Sequence, residues 1–81
     1  MPTVLRIGAY RLYFYSHEPN EPPHVHVDRG GLTIKVWLKT EEFVGNRGFR
    51  PHEINAILRM VGEHSEALLE AWYEYFGPDR R

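Results

Sequence analysis

The chain has 81 residues, with ten Lys/Arg against eleven Asp/Glu, five His and no cysteine, for a formal charge of −1. That length admits one domain with a modest core and marginal stability on its own. The lack of cysteine excludes disulfides, thiol nucleophiles and thiolate zinc sites, so any metal would have to be held by His, Asp and Glu.

Residues 3–7 read as a first short strand, ended by Gly8. Met1 to Ile7 has no apolar leader region, and no run reaches membrane-spanning length, so a cytoplasmic protein without a membrane partner is expected. Residues 10–15 (Tyr-Arg-Leu-Tyr-Phe-Tyr) are aromatic and β-prone, a second strand. Ser16 to Pro23 holds three prolines and an asparagine and reads as a loop, with Glu21-Pro22-Pro23 either extended or carrying a cis bond. Strands over 24–28 and 32–39 follow, joined by Arg29-Gly30-Gly31.

A two-residue turn at Gly30-Gly31 sets a definite register. It pairs Arg29 with Leu32, Asp28 with Thr33, Val27 with Ile34, His26 with Lys35, Val25 with Val36 and His24 with Trp37. Side chains alternate along a strand, so Val25, Val27, Leu32, Ile34, Val36 and Leu38 share one apolar face. His24, His26, Asp28, Thr33, Lys35 and Trp37 share the other.

Glu41 to Phe49 is ambiguous: Phe43-Val44 reads as a fifth short strand or as part of a loop around Gly45-Asn46-Arg47-Gly48. From Pro51 the pattern turns helical, through residue 76. Ile54, Ile57, Leu58, Val61, Leu68, Leu69, Trp72 and Phe76 form one stripe, with Arg59, Glu63, Glu66, Glu70 and Glu74 opposite. Pro51 suits the first helical position and Glu53 the third, beside the positive end of the dipole, whereas Arg50 is a poor N-cap. Gly77-Pro78 ends the helix. The expected fold is therefore a single α+β domain over 1–81: a four-stranded, mostly antiparallel sheet with one long C-terminal helix packed on one face.

Charge follows this division. Residues 1–50 hold seven Lys/Arg against five Asp/Glu, and residues 51–76 one Arg against five Glu. The sheet half is mildly basic and the helix half acidic, too weak a bias to announce a nucleic-acid binder.

Two imidazoles on one strand face, His24 and His26, suggest metal binding or acid–base chemistry. As ligands they would need His17, Glu18 or Asp28 as a third. Lys35 opposite His26 disfavours a second cation, so neither a metal nor any other cofactor is expected. As catalysts, His24, His26 and Lys35 supply the acid, base and positive charge of metal-independent RNA cleavage. Arg11, Arg29 or Tyr13 could assist, and Trp37 and the tyrosines could stack a base. The structural alternative is that Pro22-Pro23 sets the loop, that the histidines cap the strand, and that His24 and Trp37 pack across it. His17 and His52 read as solvent-exposed, and His64 as a half-buried packing residue.

One helix covers one sheet face, so the face bearing Arg11, Tyr13, Tyr15, Asp28 and Trp37 is left open, as a partner interface or a nucleic-acid platform. The interface is favoured, because small domains gain stability by association.

Several segments together resemble family 4160 of the domains of unknown function, small stand-alone bacterial proteins. They are Met1-Pro2-Thr3-Val4, Tyr13-Phe14-Tyr15-Ser16, Pro22-Pro23-His24-Val25-His26, Lys35-Val36-Trp37-Leu38, Gly48-Phe49, Leu68-Leu69-Glu70-Ala71-Trp72 and Phe76-Gly77. Arg50 departs from the serine that members commonly carry there. The resemblance implies no established activity. It does imply a toxin–antitoxin-like setting, since members are often encoded beside another small protein. The leading expectation is a module that binds such a partner, with a homo-oligomer also possible. The alternatives are the His24/His26/Lys35 endoribonuclease, with RNA as its partner, and a His-based metal binder.

Overall fold

The structure is a computed structural model that describes residues 3–15 and 21–77, with side chains from Leu5 onward. Five strands, β1 (Thr3–Ile7), β2 (Tyr10–Tyr13), β3 (His24–Arg29), β4 (Leu32–Trp37) and β5 (Phe43–Arg47), precede two helices, α1 (Pro51–Glu63) and α2 (Ser65–Phe76). The strands form one antiparallel sheet in the order β1-β2-β3-β4-β5, so each hairpin places a strand beside its predecessor. The α+β class holds; the strand and helix counts do not.

The fifth strand replaces the expected four. Phe43–Arg47 contains Gly45 and Asn46, which weaken any alternation, but backbone pairing with β4 requires none. Trp37 N–H donates to Glu42 O (2.8 Å), and Glu41 N–H donates to Trp37 O (2.8 Å), closing the turn that lays β5 alongside. The single long helix is instead two, divided at His64, whose backbone sits at φ −110°, ψ 12°. The His64 N–H is shared between the carbonyls of Met60 (3.2 Å) and Val61 (3.1 Å), and its Nδ1 also bonds the Met60 carbonyl (2.9 Å). Gly62 just before this point lowers the helical propensity that would resist a break. The apolar stripe hides the break in the sequence, because both helices bury the same side.

Strand limits shift by one or two residues. β2 ends at Tyr13 and not Tyr15, and β4 at Trp37 and not Lys39, because the ladder stops where Pro22-Pro23 leads into β3. Leu38 N–H goes to the Pro23 carbonyl instead (3.0 Å). β3 runs to Arg29, since the two-residue turn pairs Arg29 with Leu32. Every expected β3–β4 pair is found, and Gly30 has φ +62°, the value a II′-type turn needs at its first position. No described peptide bond is cis, leaving Pro22-Pro23 in the extended alternative.

The core lies between the helices and one sheet face. Leu12, Phe14, Val25, Val27, Ile34, Val36 and Leu38 meet Ile54, Ile57 and Val61 of α1 and Leu68 and Trp72 of α2, with Phe49 closing one end. Leu32, Leu58, Leu69 and Phe76 pack partly buried against them. Each fully buried aliphatic side chain contributes about 1.5–3 kcal/mol by leaving water. Arg50 caps α1 without a side-chain bond, as its chemistry suggests, and Pro51 takes the first helical position. Glu53 fastens that first turn to the sheet: its carboxylate accepts from Tyr10 Oη (2.9 Å) and Arg29 Nε (2.7 Å).

Candidate functional site: the far face of the sheet

Directly opposed residues in an antiparallel sheet share a face, so the pairings lay out the face away from the helices in three rows. The first is His24 and Trp37; the second is Tyr13, His26, Lys35 and Val44. The third crosses all five strands through Arg6, Arg11, Asp28, Thr33 and Arg47. The face predicted from the Gly30-Gly31 turn is thus assembled as expected, with Arg11 and Tyr13 added by β2.

The face is not an open platform throughout. His24 has 0% exposure, although it lies on the side opposite Val25. It is the first residue of β3, at the end of the sheet where α2 passes, and Trp72 of α2 reaches it with ring centroids 4.9 Å apart. Trp37 (5.5 Å) and His26 (5.2 Å, nearly perpendicular) pack on it as well. Nδ1 lies 2.9 Å from the Pro22 carbonyl, and because a carbonyl only accepts, Nδ1 carries the proton. Glu21 Oε1 is 3.7 Å from the same nitrogen.

Beside it, Tyr13 is also buried. Its ring stacks on His26 (5.4 Å, 20°) and carries the Arg11 guanidinium 4.6 Å from the centroid, while its hydroxyl donates to Asp28 (3.0 Å). Burial, then hydrogen bonding with Tyr15 and Asp28, pushes the Tyr13 phenol well above its ordinary pKa, so it stays protonated. Tyr15 packs edge-on against His26 (4.4 Å) and Tyr13 (5.5 Å). Lys35 Nζ pairs with Glu21 and sits 4.5 Å above the Trp37 ring. A shallow depression of about 180 Å³ lies at the hairpin end of the face, lined by Tyr13, Tyr15, Asp28, Gly30, Gly31, Leu32 and Thr33.

The eight site residues named from sequence, His24, His26, Lys35, Tyr13, Tyr15, Trp37, Arg11 and Asp28, therefore lie on one face, and Tyr13, Tyr15, His24, His26 and Trp37 form a continuous ring cluster. Sequence reasoning missed four participants. Trp72 comes from α2, and nothing local to it signals His24. Glu21 sits in an irregular loop. Arg6 and Arg47 complete the third row, and Arg6 was readable: a two-residue turn at Gly8-Ala9 already sets Arg6 against Arg11.

Among the described residues no group of three or more His, Asp or Glu is placed to hold a metal ion. His17 and Glu18, the other candidate ligands, lie outside the described residues. His52 is exposed and His64 half-buried, as their sequence contexts suggest. No helix of the described chain is long and apolar enough to cross a membrane.

The fold and this face define a small α+β domain: a five-stranded meander backed by two helices, with histidine and tyrosine rings packed on its outer side. Comparison of sequences places it further. The profile of the family described as Domain of unknown function (DUF4160) matches residues 9–73, and the chain belongs to that family. No curated protein and no solved structure matches the chain.

Proposed function

We propose that the protein is a binding module, one half of a two-protein, toxin–antitoxin-like pair, acting by contact with its partner and not by catalysis. The expectation of a small partner encoded next door comes from the family resemblance. What supports contact as the mode of action is β5. All five of its residues are exposed, Phe43 at 44% and Val44 at 45%, and it lies at the sheet edge with β4 on one side only. An edge strand with exposed apolar side chains is the usual template for strand addition by another chain. The one-residue bulge opposite Thr33 and Lys35 twists this edge, which discourages indiscriminate edge-to-edge pairing and favours a shaped partner.

The condition of His24 points the same way. A general base must reach the proton that it removes, and this ring has no exposed surface and spends Nδ1 on Pro22. The endoribonuclease alternative therefore lacks one of its two imidazoles at the surface.

Co-expression with the neighbouring small protein, followed by size-exclusion chromatography with light scattering, tests the reading. A heteromeric complex is expected, and Val44→Lys is expected to disrupt it while leaving the melting temperature of the isolated protein unchanged. Absence of any complex, or RNA cleavage in EDTA by wild type and not by Lys35→Met, would overturn it.

A further inference from the structure

The third row of the far face carries Arg6, Arg11 and Arg47 against a single carboxylate, Asp28. Neighbouring strands are about 4.8 Å apart, so the row runs roughly 19 Å across the sheet. Arg6 and Arg47, at its two ends, are exposed. Arg11 lies between Arg6 on one neighbouring strand and Asp28 on the other and stacks over the Tyr13 ring, so the row's exposed positive charge sits at its two ends. On the opposite side of the molecule, Glu63, Glu66, Glu70 and Glu74 are all exposed on the helices, so the domain is electrically two-sided.

We propose that this arginine row is the docking track for an acidic segment of the partner protein, laid across the strands with its carboxylates on the exposed Arg6 and Arg47. The inference rests on the binding-module reading and names the chemistry of the partner. Guanidinium groups take carboxylates in two-pronged pairs, which fixes orientation as well as attraction. The exposed Val44 in the adjacent row adds an apolar contact.

The rings decide between a peptide and a nucleic-acid strand. Bases stack on open aromatic faces, but Tyr13 is only 3% exposed and covered by Arg11 and His26, and Lys35 lies over Trp37. The acidic helix side and the formal charge of −1 also repel a long polyanion, whereas a short acidic segment meets only the arginine row.

The test titrates a labelled short oligoglutamate peptide, and in parallel an oligouridylate, into the whole protein at low and moderate salt. The peptide is expected to bind, to weaken with salt, and to lose about tenfold in affinity in the double variant Arg6→Glu/Arg47→Glu at unchanged melting temperature. Glu70→Lys, on the helix side, is expected to leave binding as it was. Equal binding by the double variant, or binding of oligouridylate alone, would overturn the docking track. Co-purification with the neighbouring protein separates the two readings. If that protein binds wild type and the double variant alike, the track is wrong and the binding module stands. If it does not bind wild type, the binding-module reading falls, and the peptide titration still judges the row.

Discussion

His24 is the residue at which packing overrides an alternation pattern. Its ring fills a space bounded by Trp37, Trp72 and His26 and satisfies its Nδ1–H internally, so its removal leaves both a cavity and an orphaned carbonyl. His24→Ala is expected to cost about 2–4 kcal/mol, seen as a fall in melting temperature of the order of 10 °C or more. His26→Ala, at a half-buried site, is expected to cost about 1 kcal/mol. Equal, small losses in both variants would contradict the burial of His24. Gly48 is a second such residue. It has φ +101°, and a Cβ there would lie 2.4 Å from Leu32 Cδ2. The leucine tip can move, but the backbone cannot relax without breaking the β5-to-α1 turn, so Gly48→Ala is expected to cost about 1–3 kcal/mol in chemical denaturation. The His-x-His and Gly-Phe motifs were visible in the sequence. A structural role for the first histidine, packed on Trp37, was one of the readings offered; that Trp72 closes over it was not, because that ring arrives from 48 positions away in the chain.

At the scale of elements, the weakest join by local chemistry is the start of α1, where Arg50 offers no cap. Glu53 substitutes by accepting from Tyr10 and Arg29, which ties the β1–β2 and β3–β4 hairpin ends to the helix. Partial desolvation disfavours its ionised form, but the two hydrogen bonds and the Arg29 charge outweigh this and hold its pKa below the ordinary 4.5. A carboxyl whose pKa is depressed by folding contributes stability above its unfolded pKa and loses it as the pH falls through the folded one. Glu53→Gln is therefore expected to lower the melting temperature at pH 7, with the gap to wild type closing as the pH falls below about 4.5. A gap of unchanged size as the pH falls would mean that the carboxylate charge contributes nothing. The β3–β4 hairpin was legible to the residue pair, because Gly-Gly between two alternating runs leaves one good register. β5 stood only as one of two readings of 41–49 and the helix break was not legible, since each depends on hydrogen bonds that leave no periodic trace in side chains.

The whole molecule is a thin sandwich of one sheet and one helical layer, with positive charge on the outer sheet face and negative charge on the outer helix face. Its marginal size means that partner binding also acts as stabilisation: a ligand present at 100 times its Kd adds about 2.7 kcal/mol. The complex with the neighbouring protein is accordingly expected to melt several degrees above the isolated domain, and more so at low salt, where the arginine row is least screened. A melting temperature indifferent to both partner and salt would leave the face without a binding role.

The sequence by itself determined the α+β class, the central hairpin with its register, the apolar faces that build the core, and which side chains share the outer face. These follow from local periodicities of two and 3.6 residues and from turn chemistry, all of which act over a few residues. Only the tertiary structure decided that β5 joins the sheet, that the helix divides at His64, that Trp72 closes over His24, and that Arg6, Arg11 and Arg47 align in one row. The Trp72 contact and the alignment of Arg47 with Arg6 and Arg11 join segments distant in the chain, whereas β5 and the helix break rest on nearby backbone hydrogen bonds that leave no periodic pattern in the side chains.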